Sequence, residues 1–464
     1  MADLSTVGEK LHPWVKGRSF VLVGDSLASL AREAEVLLAL GATKAAVIGD
    51  GLGLAEPPTD PRITWRLLDV TDVDVPEGRR RAAAALRALP TEVVAWLDAV
   101  DPARASQVLD YSVGFVAHTI AGRRVIGATR PEWIALDDKT SCDGIWQAAR
   151  VRHAPSRRVS VERDALIRRS SELDHGRGTV WAGDSRDGPN SGAHLTRWIR
   201  NADDVDAAMP VFSAHCDRLR VMPFVEGIPC SVHAVVANDG IGVLRPCEIF
   251  VFRASESGHF RFAGMATTWD PDDGDRDDMR ASARRIAEVL RSRLCYRGTF
   301  TLDGVLGEDG FVPTELNPRI GRALRMMGDV IPEAGLVAHT KFLADGVNTG
   351  LTVADIERTV LEAVDRLRTM SAALNLPEAP TPAAVDLVFT ETGLARVPDD
   401  RDPDAVLRCG PAHSYTPGIV LLEAKLGRTP IGPPAGPVVA DVFNHTDEWL
   451  GVGAGGFDAP AHVR

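Results

Sequence analysis

No two of the six cysteines, at positions 142, 216, 230, 247, 295 and 409, stand in CxxC spacing. That removes a zinc knuckle and a thioredoxin-type redox pair from consideration. Cysteines this scattered in 464 residues are expected to be mostly buried thiols in a reducing compartment. A basic excess is missing too: 52 Lys and Arg stand against 64 Asp and Glu, for a net charge of −12. The basic residues are dispersed in short runs such as Arg79–Arg81. Recognition of a phosphate backbone needs them clustered on one face, so no nucleic-acid partner is expected. No uninterrupted apolar run approaches the roughly 18–20 residues of a membrane span. The opening MADLSTVGEKLHPW carries charges and no apolar h-region, so no signal peptide is expected. The reading is a soluble, cytoplasmic protein without a membrane partner.

With 45% hydrophobic and 25% charged residues the balance is globular, and the length exceeds what one core fills. Residues 19–50 read as strand, helix, strand: SFVLVGD, then helical spacing at Leu27, Leu30, Ala34, Leu37 and Leu38, then KAAVIGD after Gly41. The expectation is a Rossmann-like β/α domain over 1–136. From 137 to 346 strand-like segments alternate with loops in antiparallel style, with one helix at 279–294. The acidic run 270–278 reads as a solvated loop before that helix. Beyond 346, one helical stretch from Val353 to Leu374 and a Pro/Gly-rich remainder suggest a helical and irregular extension packing on the core, residues 347–464.

Residues 298–319, GTFTLDGVLGEDGFVPTELNPR, carry the chemistry. Two strand patterns flank Glu308-Asp309-Gly310, whose glycine suits a left-handed loop position. Pairing Gly307 with Phe311 places Asp303 opposite Glu315, with Asn317 on the same face and Leu302, Leu306, Val312 and Leu316 on the other. Opposed side chains stand about 4.5–5.5 Å apart at Cβ. Two carboxylates that close repel by about 3 kcal/mol at an effective dielectric near 20. The natural countercharge is Mg²⁺, which takes hard oxygen ligands and shares carboxylates with substrate phosphates. Asn317 adds an amide oxygen, and Arg319 a cationic fork suited to phosphate or carboxylate.

An acid on one strand and E-x-N-x-R on the next, here Asp303 and Glu315-Leu-Asn317-Pro-Arg319, resembles the ATP-grasp superfamily, in its carboxylate–amine (peptide-type) ligase group. The resemblance implies a mostly antiparallel ATP-grasp domain after the β/α domain. It implies that Asp303, Glu315 and Asn317 bind the Mg²⁺ bridging ATP phosphates, and that Arg319 steadies the acyl phosphate or its precursor. Lys139 of Asp138-Lys139, opening a helix, would touch nucleotide phosphate. In RVMPFVEGIPCSVHAVV, backbone groups of Met222 and Phe224 would meet adenine, Glu226 would lie near the ribose, and His233 would reach ribose or phosphate. The loop GDSRDGPNSG, 183–192, with Ser185, would be the flexible lid. The family's lysine on the strand before that loop is missing from Thr179-Val180-Trp181-Ala182-Gly183, and Pro223 stands where an acid is usual. Arg186, Arg220 or Arg253 would supply the phosphate charge instead.

The implied partners are a small-molecule carboxylate and an amine, with a homodimer as a possible assembly. Two other functions are open. Gly24-Asp25-Ser26-Leu27 reads like the first block of a GDSL-type serine hydrolase, with Ser26 as nucleophile. Against it, D-x-x-H is absent near the C-terminus, since Asp458 to His462 is one residue too long, and Asp25 or Ser26 suits a helix cap. The missing lysine also allows a non-catalytic ATP-binding protein of the same fold.

Overall fold

A computed structural model describes residues 4–70, 75–112, 117–188, 192–254, 259–397, 401–413 and 416–463. Ser19–Ser26 is a continuous apolar run because both its faces are covered: Phe20 and Leu22 join one core, Val21 and Val23 another. It pairs in parallel with Lys44–Gly51 on one side and Gln107–Asp110 on the other. Ile63–Leu67 and Arg123–Ile126 extend the sheet at either end. Chain order therefore reverses between Ser19–Ser26 and Gln107–Asp110. The helix Leu27–Ala39 buries the apolar face expected of it, and Ser26 caps it by accepting from the Ser29 N–H at 3.3 Å.

Two antiparallel sheets follow. A four-stranded one orders Arg157–Ser160, Arg218–Pro223, Thr179–Gly183 and Thr196–Ile199. Trp181, Leu219 and Val221 turn into a core with Leu166 and Phe212 of the helices behind it. The larger sheet is built on Gly227–Val236, which pairs with Gly298–Gly307 over ten residue pairs. Gly227 (φ 151°) admits no side chain, since a Cβ there would lie 2.2 Å from the Leu306 carbonyl oxygen. Val232, Leu302 and Leu316 pack with Met279, Ile286 and Leu290 of a helix behind the sheet. That helix is Asp273–Leu294, so most of the acidic run is its first turns and not a loop; Asp273 and Asp275 complement the N-terminal dipole there.

The last third departs most from the sequence reading. The helix beginning at Val353 ends at Val364, and Met370–Leu376 is a strand between Phe260–Ala266 and Thr416–Ala424. Ala405–His413, Ala383–Thr390 and Gly393–Arg396 continue the sheet, over a separate core covered by the helix Gly436–Asn444. The extension is thus mainly β. SAALNL has good helix formers, yet it alternates buried and half-exposed positions, and pairing on both sides overrides propensity. No helix among the described residues is long and apolar enough to cross a membrane. All six cysteines are free thiols, five of them buried and Cys295 exposed.

Candidate active site

Asp303 and Glu315 are paired across the hairpin, and Thr301 faces Asn317. The route to that register differs from the expected one. The turn is tighter, with Gly307 paired to Gly310, and a bulge between Asp303 and Gly304 restores the offset. Gly310 takes φ 107°, as its turn position demands. The bulge also exchanges faces: Phe311 enters the core, whereas Val312, expected there, lines a cleft.

On the cleft side the polar groups close on one another. The Ser231 hydroxyl donates to Asp303 Oδ1 at 2.5 Å. Asn317 Nδ2 donates to Asp303 Oδ2 at 2.8 Å, Glu315 Oε1 at 3.3 Å and Thr301 Oγ1 at 3.2 Å. Lys139 Nζ lies 2.7 Å from Glu315 Oε2. Lys139 stands in the turn before the helix Cys142–Ala148, not inside it. Burial would raise Glu315, but the Lys139 ammonium and the Asn317 amide outweigh it and hold the carboxyl below its usual range. Asp303 has no ion-paired cation among the described residues; burial, then the charge of Glu315, lifts it to about 7 against the Ser231 hydrogen bond and the more distant Arg319.

That imbalance bears on a metal. Among the described residues no three His, Cys, Asp or Glu side chains gather into a cage. Two carboxylates and an amide do not enclose an ion, but they fit Mg²⁺, which keeps waters and takes one or two carboxylates beside phosphate oxygens. A half-turn of the Asn317 amide would present its oxygen where the nitrogen now donates. A cation there would relieve the carboxyl that the protein leaves uncompensated.

The cleft, about 200 Å³, lies between the two antiparallel sheets. Val180, Ala182 and Met222 line it from the small sheet, and Ile249, Val251 and Val305 from the large one. Its polar end holds Lys139, Thr196, Thr314, Asp303 and Glu315. An apolar slot ending in charge suits a flat base with an anionic tail. His233 sits one pair beyond Ser231 on this face, opposite Thr301. Burial lowers its pKa to about 3, so it is neutral, and neither ring nitrogen has a hydrogen-bond partner.

Other expected contacts are altered. The Phe224 N–H, expected to meet a base, donates to the Gly178 carbonyl at 3.1 Å, because strand pairing runs on past Pro223. Its ring stacks on Trp198 at 4.3 Å instead. Glu226 lines the cleft but is held by Arg253 at 2.9 Å and by the Ala461 N–H at 3.1 Å. Ser185 does not line the cleft, and its buried hydroxyl is unpartnered; from its loop Gly192 and Ala193 reach the cleft. The start of the loop is tied down, since Arg186 is paired with Asp187 and Asp217; positions 189–191 lie outside the described residues. Arg220 is buried against Asp143, so of the three candidate arginines only Arg253 lines the cleft. Arg319 does not line the cleft: it is ion-paired with buried Asp137 and lines a second cavity, from which its charge still acts on Asp303 and Glu315. Ser231 was not singled out from sequence, although it shares the period-2 face of His233. Ser26 holds its helix cap, and among the described residues no histidine hydrogen-bonds it.

Neither a protein-family model nor a curated protein matches the chain. Solved structures do. Carboxyaminoimidazole ribonucleotide synthase from Aspergillus clavatus, complexed with ATP, aligns at TM-score 0.52 and 11% identity over 93% of this chain and 99% of that one. The N5-carboxyaminoimidazole synthase of that organism, with ADP and 5-aminoimidazole ribonucleotide, gives 0.51 at 11% identity over 89% and 95%. A Rhizobium etli pyruvate carboxylase variant gives 0.56 at 13% identity, over 92% of this chain and 37% of that one. At these identities the likeness is one of fold.

Proposed function

On the premise that this chain has the ATP-grasp fold, we propose that it is an ATP-dependent carboxylate–amine ligase. The observation that carries the reading is the opposed pair Asp303 and Glu315, with Asn317 and Lys139 beside it, at the charged end of an apolar cleft between two sheets. In that cleft Met222 and Phe224 would hold the base of ATP and Lys139 its phosphates. Asp303, Glu315 and Asn317 would hold Mg²⁺, which supplies charge neutralisation between the phosphates. His233, neutral and unpartnered, lies one pair beyond Ser231 but outside the cleft lining, so it would reach ribose or phosphate only if its surroundings at Gly321 opened. Glu226, which lines the cleft, would lie near the ribose, and Ser185, outside the cleft lining, would act only through its loop.

A carboxylate oxygen of the acid attacks the γ-phosphorus of ATP, the bond to ADP breaks, and an acyl phosphate forms. The amine nitrogen then attacks the acyl carbon. A C–N bond forms, the C–O bond to phosphate breaks, and the amine's proton leaves with the phosphate or to solvent. Lys139 offsets phosphate charge, Arg319 steadies the acid from the opposite side, and the cleft walls exclude water from the acyl phosphate. The test is ADP release over a panel of amino acids as acid and amine, with mass spectrometry of the products. Amide formation that Glu315→Ala abolishes is expected. ATP turnover unchanged in a folded Glu315→Ala protein refutes the reading.

A further inference from the structure

A second cavity, about 60 Å³, opens beside the carboxyl ends of the parallel strands. It lies where Asp110 and Tyr111 leave the strand Gln107–Asp110, next to Ser19–Ser26, at the point of chain-order reversal. Open α/β sheets bind ligands at that position. Arg325 reaches the cavity from the helix Arg322–Asp329 and Lys341 from the helix Leu336–Ala344. Among the described residues Asp110 is the one carboxylate in its lining, and it already accepts from the Ser112 N–H at 2.8 Å and hydroxyl at 2.5 Å.

Neither cation makes an ion pair among the described residues, although Glu33 and Asp329 act on Arg325, and Asp110 on Lys341, at longer range. Arg325 donates to neutral groups only, the Tyr111 carbonyl at 2.6 Å and the Ser29 hydroxyl at 3.4 Å. Lys341 makes no ion pair among the described residues; its Nζ lies 6.0 Å from the Tyr111 ring centroid. Burial lowers its pKa, Asp110 works against that, and Arg325 adds to it. Arg319, at the same cavity, is already neutralised by Asp137. The remaining wall is aromatic. Trp133 Nε1 donates to the Leu294 carbonyl at 3.1 Å and the Tyr296 hydroxyl to that of Thr299 at 2.5 Å, so their polar atoms are engaged elsewhere. Two neighbouring, half-buried cations at one cavity wall, neither in an ion pair among the described residues, favour an anion that joins them.

We propose that Lys341 and Arg325 bind a second anionic group, a carboxylate or a phosphate, carried by one of the substrates. The reacting carboxylate lies toward Arg319, and the fixed anion beyond it selects small acids or amines that bear such a charge. The assignment of the reacting group rests on the ligase reading; the anion site does not.

The test is calorimetric titration of the full chain, without ATP, using inorganic phosphate, succinate and acetate as probes. Phosphate or succinate is expected to bind more tightly than acetate, and Lys341→Gln or Arg325→Gln to weaken it at least tenfold. Preference for phosphate points to a phosphorylated substrate, and preference for succinate to a dicarboxylate. Unchanged ADP affinity in the variants shows that they are folded. Should they not fold, acylation of Lys341 in the wild type, read by peptide mass spectrometry, is expected to slow with the bound anion while exposed Lys425 labels at its usual rate. Absence of binding by every probe, binding within twofold of wild type in both variants, or Lys341 labelling indifferent to anion overturns the proposal. Anion binding intact with no ATP turnover on any substrate pair refutes the ligase reading and leaves the site standing.

Discussion

The cleft between the antiparallel sheets and the cavity beside the parallel strands carry opposite charge. The cleft ends in Asp303 and Glu315, of which Lys139 compensates one. The cavity holds Arg325 and Lys341, with Asp110 as the described carboxylate. Between them stands the ion pair of Arg319 and Asp137. Burying either sign alone is expensive, so each excess is understood through what joins it. Carboxylates suit the place where a metal-bearing phosphate tail would arrive, and cations suit the place where an acid would. A reaction between a phosphate and a carboxylate needs both in neighbouring compartments.

The comparison breaks most completely at Glu315. Glu315→Ala removes a carboxylate from the charged end of the cleft, and ATP consumption is expected to fall on the order of a thousandfold or more. ADP-release kinetics with a circular-dichroism check on folding measure this. Arg319→Met tests the partition instead. It leaves the buried Asp137 carboxylate unpaired, at about 3 kcal/mol of stability by urea unfolding. Adding Asp137→Asn should recover most of that loss; no recovery would mean the pair is not what Arg319 contributes.

A smaller effect sharpens the basic side. Burial raises Glu33 from 4.5 to about 7, with Arg325 working against it. Because the folded pKa is the higher one, the stabilisation by neutral Glu33 is complete below 4.5 and is lost as pH rises to about 7. The charge that then appears competes for Arg325, so the affinity for succinate, whose own charge is constant there, should fall several-fold as pH passes 7. In Glu33→Gln both the affinity profile and the stability slope should flatten across that range. The smallest effect belongs to neither compartment. Ser26→Ala should cost at most about 1 kcal/mol by urea unfolding, as a lost cap, and leave turnover intact.

Alternation along residues 298–317 was enough to bring Asp303, Glu315 and Asn317 onto one face, because a period of two is local information. It could not reveal the bulge that achieves the register, nor that Phe311 and Val312 exchange faces there. The parallel β/α start was legible in the same way, from apolar runs and a capped helix. The strand Met370–Leu376 was not, since its conformation depends on Phe260–Ala266 and Thr416–Ala424 pairing on either side. Nor could spacing assign Arg319 to its cavity or bring Arg325 and Lys341 to Asp110, more than two hundred residues earlier in the chain. Side-chain type and local period are written in the sequence; which charges share a compartment depends on strand order and on helices crossing between sheets, and only the folded chain sets those.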